Sequence, residues 1–438
     1  MSVPNLLRRS AILALMASSS SRPHPPSFAE AARFWAKLGF VSFGGPAGQI
    51  AILHREVVER RHWLDDREFT RALNFCMLLP GPEALQLAIF LGWKMHGIRG
   101  GLVAGLGFIL PAVVLLFALS YVYVAHGSLS WVSALLYGLK AAVVALVLQA
   151  LVRIARRALK SSLHVVLAAA SFVALEFARV PFPVVLLVAA AVGAYLASHV
   201  ASNEGAVASA TPARGTQTAK VAVVGLALWL LPLLVVVATL GGGSLWAAIY
   251  LFFTKAALVT FGGAYAVLGY VTNQLVDNLA WVTADQSVAG LALAETTPGP
   301  LIIVLQFMGF MAGWNQPGPL SPLGSALLAG ALATWATFLP SFLFILLGAP
   351  YVERLTRNAR IDGALGAITA AVVGVIATLV LLLAQVVLFP DGWRAAPDWN
   401  AVLIALAAWF LLARARWPLG PVLLAAAASG LLLRLLQQ

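Results

Sequence analysis

The triplets Phe-Gly-Gly at 43–45 and Pro-Gly-Pro at 80–82 interrupt two apolar stretches in the first half of this chain. The same triplets return 218 residues later, at 261–263 and 298–300. Around them, 49 positions align without a gap and share twelve identities. The chain is therefore internally duplicated. Gly and Pro breaks at matching places in two halves are typical of membrane transporters that bind substrate between two repeats.

The composition indicates an all-α integral membrane protein. Of 438 residues, 61% are hydrophobic and 10% are charged, against about 25% charged in soluble domains. The long apolar runs are rich in Ala, Leu and Val and lack the alternation of barrel strands, so they predict helices that cross the bilayer. The clearest runs are 101–125, 131–152, 221–240, 324–349 and 364–389.

Several classes of protein are excluded by what the sequence lacks. Cys76 is the only cysteine, and the seven histidines are scattered singly, so we expect no metal site and no cofactor. No catalytic motif is present, so we expect no enzyme. The net charge of +12 comes from short loops between spans and reports membrane orientation, so no nucleic-acid partner is expected.

The domain organisation follows from the repeat. We expect a disordered N-terminal tail at 1–27, with a targeting peptide as the alternative, and an N-terminal repeat at 28–200. A flexible linker rich in Ala, Ser and Thr follows at 201–219. The C-terminal repeat at 220–438 begins with one extra helix at 221–240.

Two topologies fit the hydropathy, and both make the halves inverted repeats. Thirteen spans place 17 Lys and Arg on the side of the N-terminus and 8 on the other. If each broken segment is instead a re-entrant hairpin, nine spans remain and the counts become 22 and 3. Positive charge is enriched on the cytoplasmic side. We therefore prefer hairpins whose broken tips meet at the bilayer midplane, with a cytoplasmic N-terminus.

The four breaks are the candidate substrate site. Irregular backbone inside a membrane must face protein or a water-filled cavity. Helices that start after the breaks point free N–H groups and positive dipole ends at the midplane, which favours an anion. The alternative is that these residues only kink the helices. The candidate glycines are Gly44, Gly45, Gly81, Gly262, Gly263 and Gly299.

Lys37 and Lys255 precede the two Phe-Gly-Gly triplets by six residues. A lysine within a membrane segment indicates function, and here it would bind an anion or line its entry. The alternative is a side chain that reaches the headgroups.

Polar residues flank the Pro-Gly-Pro triplets and add candidates. Neutral donors for an anion are Gln86, Thr296, Thr297 and Gln306. The acids differ between the copies, since Glu83 follows its triplet and Glu295 precedes its own. An acid beside an anion site indicates proton coupling. The alternatives are that Glu83 neutralises its helix N-terminus and that Glu295 is a paired structural acid.

With these motifs the chain resembles the chromate transporter family, in its long form with two fused halves. The resemblance rests on Phe-Gly-Gly-Pro at 43–46, Leu-Leu-Pro-Gly-Pro-Glu at 78–83, Phe-Gly-Gly-Ala-Tyr at 261–265 and Glu-Thr-Thr-Pro-Gly-Pro at 295–300. It implies export of chromate, a tetrahedral divalent oxyanion, from the cell across the inner membrane, driven by protons and conferring chromate resistance. The expected partners are this oxyanion, protons and the lipid bilayer, and a homodimer is left open.

Other functions stay open from the residues alone. Sulfate has nearly the size and charge of chromate, so a general sulfate or oxyanion carrier is the alternative. An anion channel and a lipid-handling protein fit the midplane lysines and the paired breaks less well.

Overall fold

The computed structural model describes residues 26–200, 215–261, 263–351 and 359–436. Within them, sixteen α-helices and no strands are found, which confirms the predicted all-α class. In chain order the helices are α1 (Phe28–Val41), α2 (Gly45–His54), α3 (Asp66–Met77), α4 (Glu83–His126), α5 (Ser130–Ala158), α6 (Ser162–Glu176), α7 (Phe182–Val200), α8 (Gly215–Leu240), α9 (Leu245–Leu258), α10 (Ala264–Asn273), α11 (Ala284–Thr296), α12 (Val304–Asn315), α13 (Pro322–Gly348), α14 (Ala359–Leu388), α15 (Trp399–Ala413) and α16 (Leu419–Leu436).

Six helices are long and apolar enough to cross a membrane, within the part of the chain that the structure describes. They are α4, α5, α8, α13, α14 and α16. The five clearest apolar runs of the sequence lie in the first five of these. The chain is therefore a multi-pass membrane protein.

Helices α1 and α2 form a hairpin around the first Phe-Gly-Gly triplet. The chain leaves helical geometry because Gly44 and Gly45 adopt φ of +97° and +67°, which residues with a side chain rarely reach. After its break the chain returns to the start of α1, where the rings of Phe34 and Trp63 meet edge to face with centroids 5.0 Å apart. We call the end of a hairpin opposite its break the mouth.

A second hairpin joins α3 to the first limb of α4. The break at Pro-Gly-Pro has Gly81 at φ +132°, and Lys94 Nζ lies 2.6 Å from Glu68 Oε1 at the mouth. Just beyond the mouth, α4 kinks where His96 and Gly97 depart from helical dihedrals. The second limb of α4 then continues as a full-length span.

The second copy repeats both hairpins. Phe252 and Trp281, the counterparts of Phe34 and Trp63, again meet edge to face, with centroids 6.0 Å apart. At the mouth between α11 and α12, the Asn315 amide donates to Gln286 Oε1 at 2.9 Å. The structure thus has two hairpins in each copy, as the preferred topology predicts.

The limbs that follow the two Pro-Gly-Pro triplets form the centre of the core. Leu85, Leu87 and Ile89 of α4 are fully buried, as are Phe307 and Phe310 of α12. Besides the hairpins, the described chain has nine further helical segments: the second limb of α4, then α5 to α8 and α13 to α16.

The structure bears only partly on the predicted segments between and before the repeats. Residues 1–25 of the predicted tail and 201–214 of the predicted linker lie outside the described residues. The extra helix, predicted at 221–240, is α8 and begins at Gly215, so the last residues of the predicted linker are helical.

Candidate functional site

The four breaks meet in two pairs, and each pair joins the two copies. The N–H of Gly81 donates to the carbonyl of Thr260 at 2.8 Å, and the N–H of Gly299 donates to the carbonyl of Ser42 at 2.8 Å. Gly299 is the counterpart of Gly81, and Thr260 that of Ser42. The two bonds are thus one contact made twice, with the copies exchanging the roles of donor and acceptor.

Only one of these two junctions between the copies also has a side-chain hydrogen bond across it within the described residues. Gln49 Nε2 donates to the carbonyl of Gly299 and, at 3.3 Å, to that of Ser42. Its counterpart in the second copy is Val267, which has no amide. The two junctions therefore share a backbone pattern and differ in side chains.

A cavity of about 210 Å³ lies between the two Phe-Gly-Gly breaks. Most of the cavity wall is apolar. Residues of both copies and of the long helices α5 and α14 contribute to it. Those used below are Gly44, Gly45, Glu83, Arg153, Arg157, Phe261, Gly263, Tyr265 and Thr369. We call this space the central cavity.

Two helices begin at the central cavity without a side-chain cap. Helix α2 has Gly44 as its N-cap residue and α10 has Gly263, at φ +97° and +99°. A Cβ placed on Gly45 or Gly263 would meet no atom within 4 Å. The glycines are thus required by their backbone dihedrals and not by a lack of room for a side chain. Gly262, the other predicted glycine of this break, lies outside the described residues.

Arg153 and Arg157 line the cavity from α5, one helical turn apart on the same face. Neither forms a close ion pair or a hydrogen bond within the described residues. Sequence reasoning missed both, because with Arg156 they end an apolar run and count as ordinary charges beside a span. The spacing of four residues at a helix end was the available signal.

The two acids occupy different positions relative to the cavity. Glu83 lines it and is partly buried, and the charge of Arg157 attracts its carboxyl. Glu295 is 5% exposed and lies behind Tyr265, whose hydroxyl donates to Glu295 Oε1 at 2.7 Å. Arg153 acts on Glu295 in the same way. The two copies thus place their acids differently, as sequence reasoning expects.

The predicted glutamines lie beside the breaks but outside the cavity. Gln86 Nε2 donates to the carbonyl of Pro80 at 2.8 Å, and Gln306 Nε2 donates to that of Val113 at 2.9 Å. Both side chains are buried. Their amide donors therefore hold backbone carbonyls in this conformation.

The predicted threonines and the other two predicted glycines are also engaged elsewhere. The hydroxyls of Thr296 and Thr297 donate to the carbonyl of Leu293 at 2.7 and 2.8 Å. The N–H groups of Gly81 and Gly299 bond the opposite copy. None of the four lines the cavity, and each donor is already used by a carbonyl.

Lys37 and Lys255 lie away from the cavity as well. Each is exposed on the outer face of its helix, α1 or α9, at equivalent positions of the two copies. The structure therefore brings the Phe-Gly-Gly breaks, Glu83 and two unpredicted arginines together, and leaves these lysines outside.

Comparison with known proteins identifies the family. The model of the family described as "Chromate transporter" matches residues 29–194 and 247–431, two matches whose first residues are 218 apart, as are the duplicated triplets. No solved structure matches the chain.

Three relatives match most of the chain. A chromate transport protein of Pseudomonas aeruginosa is 35% identical over 375 residues, 84% of this chain and 84% of the relative. That of Cupriavidus metallidurans is 28% identical over 402 residues, 90% of each chain. A probable chromate transport protein of Synechococcus elongatus is 29% identical over 373 residues, 83% of this chain and 86% of the relative. The duplicated breaks, the membrane helices and these matches together show that the chain belongs to the chromate transporter family.

Proposed function

We propose that this protein exports chromate across the inner membrane by alternating access, driven by protons, and so confers chromate resistance. The observation that carries the proposal is the reciprocal pair of bonds from Gly81 and Gly299 across the copies. It fixes the broken tips of both repeats around one cavity, the arrangement in which one repeat rocks against the other about a central site. The names of the relatives supply the substrate.

We infer that the two repeats are inverted. Support comes from α4 and α13, which pack antiparallel, with Gly101 against Leu346 and Phe117 against Gly330. The second limb of α4 begins at the mouths of the first repeat, and α13 begins after the last mouth of the second repeat. The mouths of the two repeats then lie at opposite ends of this helix pair, which is the geometry of opposite insertion.

The first mouths belong on the cytoplasmic side in this proposal. Five arginines lie in the loop 54–71 between the first two hairpins, whereas the equivalent loop 272–289 has no Lys or Arg. Positive charge favours the cytoplasmic side. The N-terminus, which precedes the first mouth, is then cytoplasmic too.

Within the cavity, the N–H groups that follow Gly44 and Gly263 supply donors for the anion. We assign Gly45 to the first of these breaks as a residue that allows the backbone to turn; Gly262, outside the described residues, stays a sequence-based candidate. Gly81 and Gly299, with the glutamines and threonines beside them, hold the breaks in place and so act on the substrate indirectly.

Glu83 and Glu295 are the candidates for proton coupling. Glu83 faces the cavity and is attracted by Arg157, so an arriving anion competes with its carboxylate for that charge. A carboxyl that loses its counter-charge in a poorly hydrated site binds a proton more readily. Replacement Glu83→Gln should then leave chromate exchange between two sides intact and abolish accumulation driven by a pH gradient.

The experiment that tests the function is uptake of labelled chromate into inverted membrane vesicles that contain the protein. Uptake is measured with and without an imposed pH gradient, and with excess unlabelled sulfate. Proton-dependent accumulation that sulfate barely inhibits supports a dedicated chromate exporter. Strong inhibition by sulfate indicates a general oxyanion carrier. Flux that follows only the membrane potential indicates a channel, and absence of any flux refutes the proposal.

A further inference from the structure

The side chains of Arg153 and Arg157 stand out among the charges of this molecule. Lys94, Lys140 and Arg60 form ion pairs with Glu68, Asp285 and Glu56. Arg153 and Arg157 are the basic residues that line the central cavity, and in the described chain their charges act on the carboxyl groups of Glu295 and Glu83 without a close ion pair. A positive charge within the span of a membrane protein is costly unless it is paired or hydrated. Both arginines are exposed and lie one turn apart on the cavity wall, so both are accessible to an anion that enters the cavity.

We propose that Arg153 and Arg157 together bind the transported anion and select it by its charge, so that the central cavity binds a tetrahedral dianion in preference to a monovalent anion. This inference rests on the proposed function, since it names ligands within the transport cavity. It assigns the anion mainly to side chains of α5, a helix outside the duplicated breaks.

The first argument is the charge balance of the cavity. Its wall holds two arginines and one acid, Glu83. Glu295 does not belong to the wall: it accepts a hydrogen bond from Tyr265 and acts on Arg153 from behind that ring. When Glu83 is protonated the wall carries two positive charges, which a dianion neutralises. A monovalent anion leaves one of them uncompensated.

The guanidinium groups also match a tetrahedral oxyanion in geometry. A guanidinium offers a planar fork of donors that matches two oxygens of a tetrahedral oxyanion. Side chains four residues apart on a helix lie on one face, so both forks enter the same space. Phe261 and Tyr265 also line the cavity, and charge-assisted bonds are stronger where water is limited.

The position of α5 gives the third argument. The same helix carries Lys140 near its other end, where it pairs with Asp285 of α11 at the mouth of the second repeat. One helix thus contacts the substrate space with its C-terminal end and the second repeat with its N-terminal end. An anion bound by Arg153 and Arg157 would then hold α5 against both Phe-Gly-Gly breaks.

The test is equilibrium binding of radiolabelled chromate to the purified full-length protein in detergent. Variants Arg153→Gln and Arg157→Gln each remove one charged donor and should weaken binding about 10- to 100-fold. The matched control is Arg156→Gln, which removes an arginine of the same helix that is exposed like the other two but does not line the cavity, and it should change binding less than twofold. Unlabelled sulfate should displace chromate at concentrations far below those needed for nitrate.

Folding of each variant is followed by the labelling of buried Cys76, described below, and Arg157→Lys provides a second variant that keeps the charge. It should bind with intermediate strength, because lysine lacks the planar fork. If both glutamine variants fold and bind chromate as well as the wild type, the inference is wrong. Equal displacement by nitrate and sulfate would also overturn it.

This binding assay and the vesicle uptake assay together separate this inference from the proposed function. If the wild-type protein and both arginine variants transport chromate equally well, only the role of the arginines is refuted. If the wild-type protein binds sulfate through these arginines but never transports chromate, only the proposal that chromate is the substrate is refuted. Failure to bind any dianion overturns both.

Discussion

Replacing Gly81 by alanine should damage the junction between the two repeats far more than replacing Gly45. At Gly81, φ is +132°, and a Cβ would lie 2.6 Å from Ser341 Oγ and 2.7 Å from Gln86 Nε2. Backbone strain of about 1–3 kcal/mol adds to an overpacking cost of about 1–3 kcal/mol. The expected loss of stability is therefore about 2–6 kcal/mol.

Gly45 is the matched control for this prediction. Its φ is +67°, yet a Cβ there meets nothing within 4 Å. Only the left-handed backbone then opposes alanine, at about 1–2 kcal/mol. The difference between the two variants measures the tight packing around the inter-repeat bond of Gly81.

The protein contains its own reporter for the measurement. Cys76 is the only cysteine and is fully buried at the end of α3, close to the Gly81 break. A fluorescent dye that reacts with thiols therefore labels the protein only as it opens, and heating in detergent gives an unfolding temperature. Gly81→Ala should unfold at a clearly lower temperature than Gly45→Ala. If the two variants unfold together, the proposed tightness of the junction is wrong.

Three further outcomes are expected. Tyr265→Phe removes the donor to buried Glu295 and should lower stability by about 1–3 kcal/mol, measured by thiol labelling; no change would show that this bond is dispensable. Reversal of either charge of the Lys140–Asp285 pair, whose side chains are 17% and 60% exposed, should lower stability by about 1 kcal/mol or less, and exchange of both charges should recover that stability. An exchanged protein as unstable as the sum of both reversals would contradict the pairing. In a background without the native cysteine, a cysteine at Arg60 should react with an impermeant reagent only from the cytoplasmic side, and labelling from outside alone would exclude the proposed orientation.

The sequence predicts the breaks well because the requirement for glycine there is local. Gly44, Gly45, Gly81, Gly263 and Gly299 all adopt positive φ, and glycine is the residue that adopts such dihedrals most readily. A duplicated pattern of these residues is therefore visible without any knowledge of tertiary structure. The hairpins follow from the same breaks once the positive charges are counted.

The partners of the breaks are not visible in the sequence. Sequence reasoning assigns the N–H groups of Gly81 and Gly299 to the substrate, whereas the structure gives them to carbonyls more than 150 residues away in the chain. Nothing local marks such a pairing. Arg153 and Arg157 are missed for a related reason, since a charge at the end of a span has the same appearance whether it faces headgroups or a cavity.

The exchange of donor and acceptor between Gly81–Thr260 and Gly299–Ser42 has a bearing on the ancestry of the fold. Contacts in which one patch meets its own copy are those of isologous dimers. A free single repeat would carry both halves of this contact and would associate with a second copy of itself. Joining two such units in one chain replaces a concentration-dependent encounter with an intramolecular one. Each half was then free to diverge, and the amide of Gln49 opposite Val267 is one trace of that divergence.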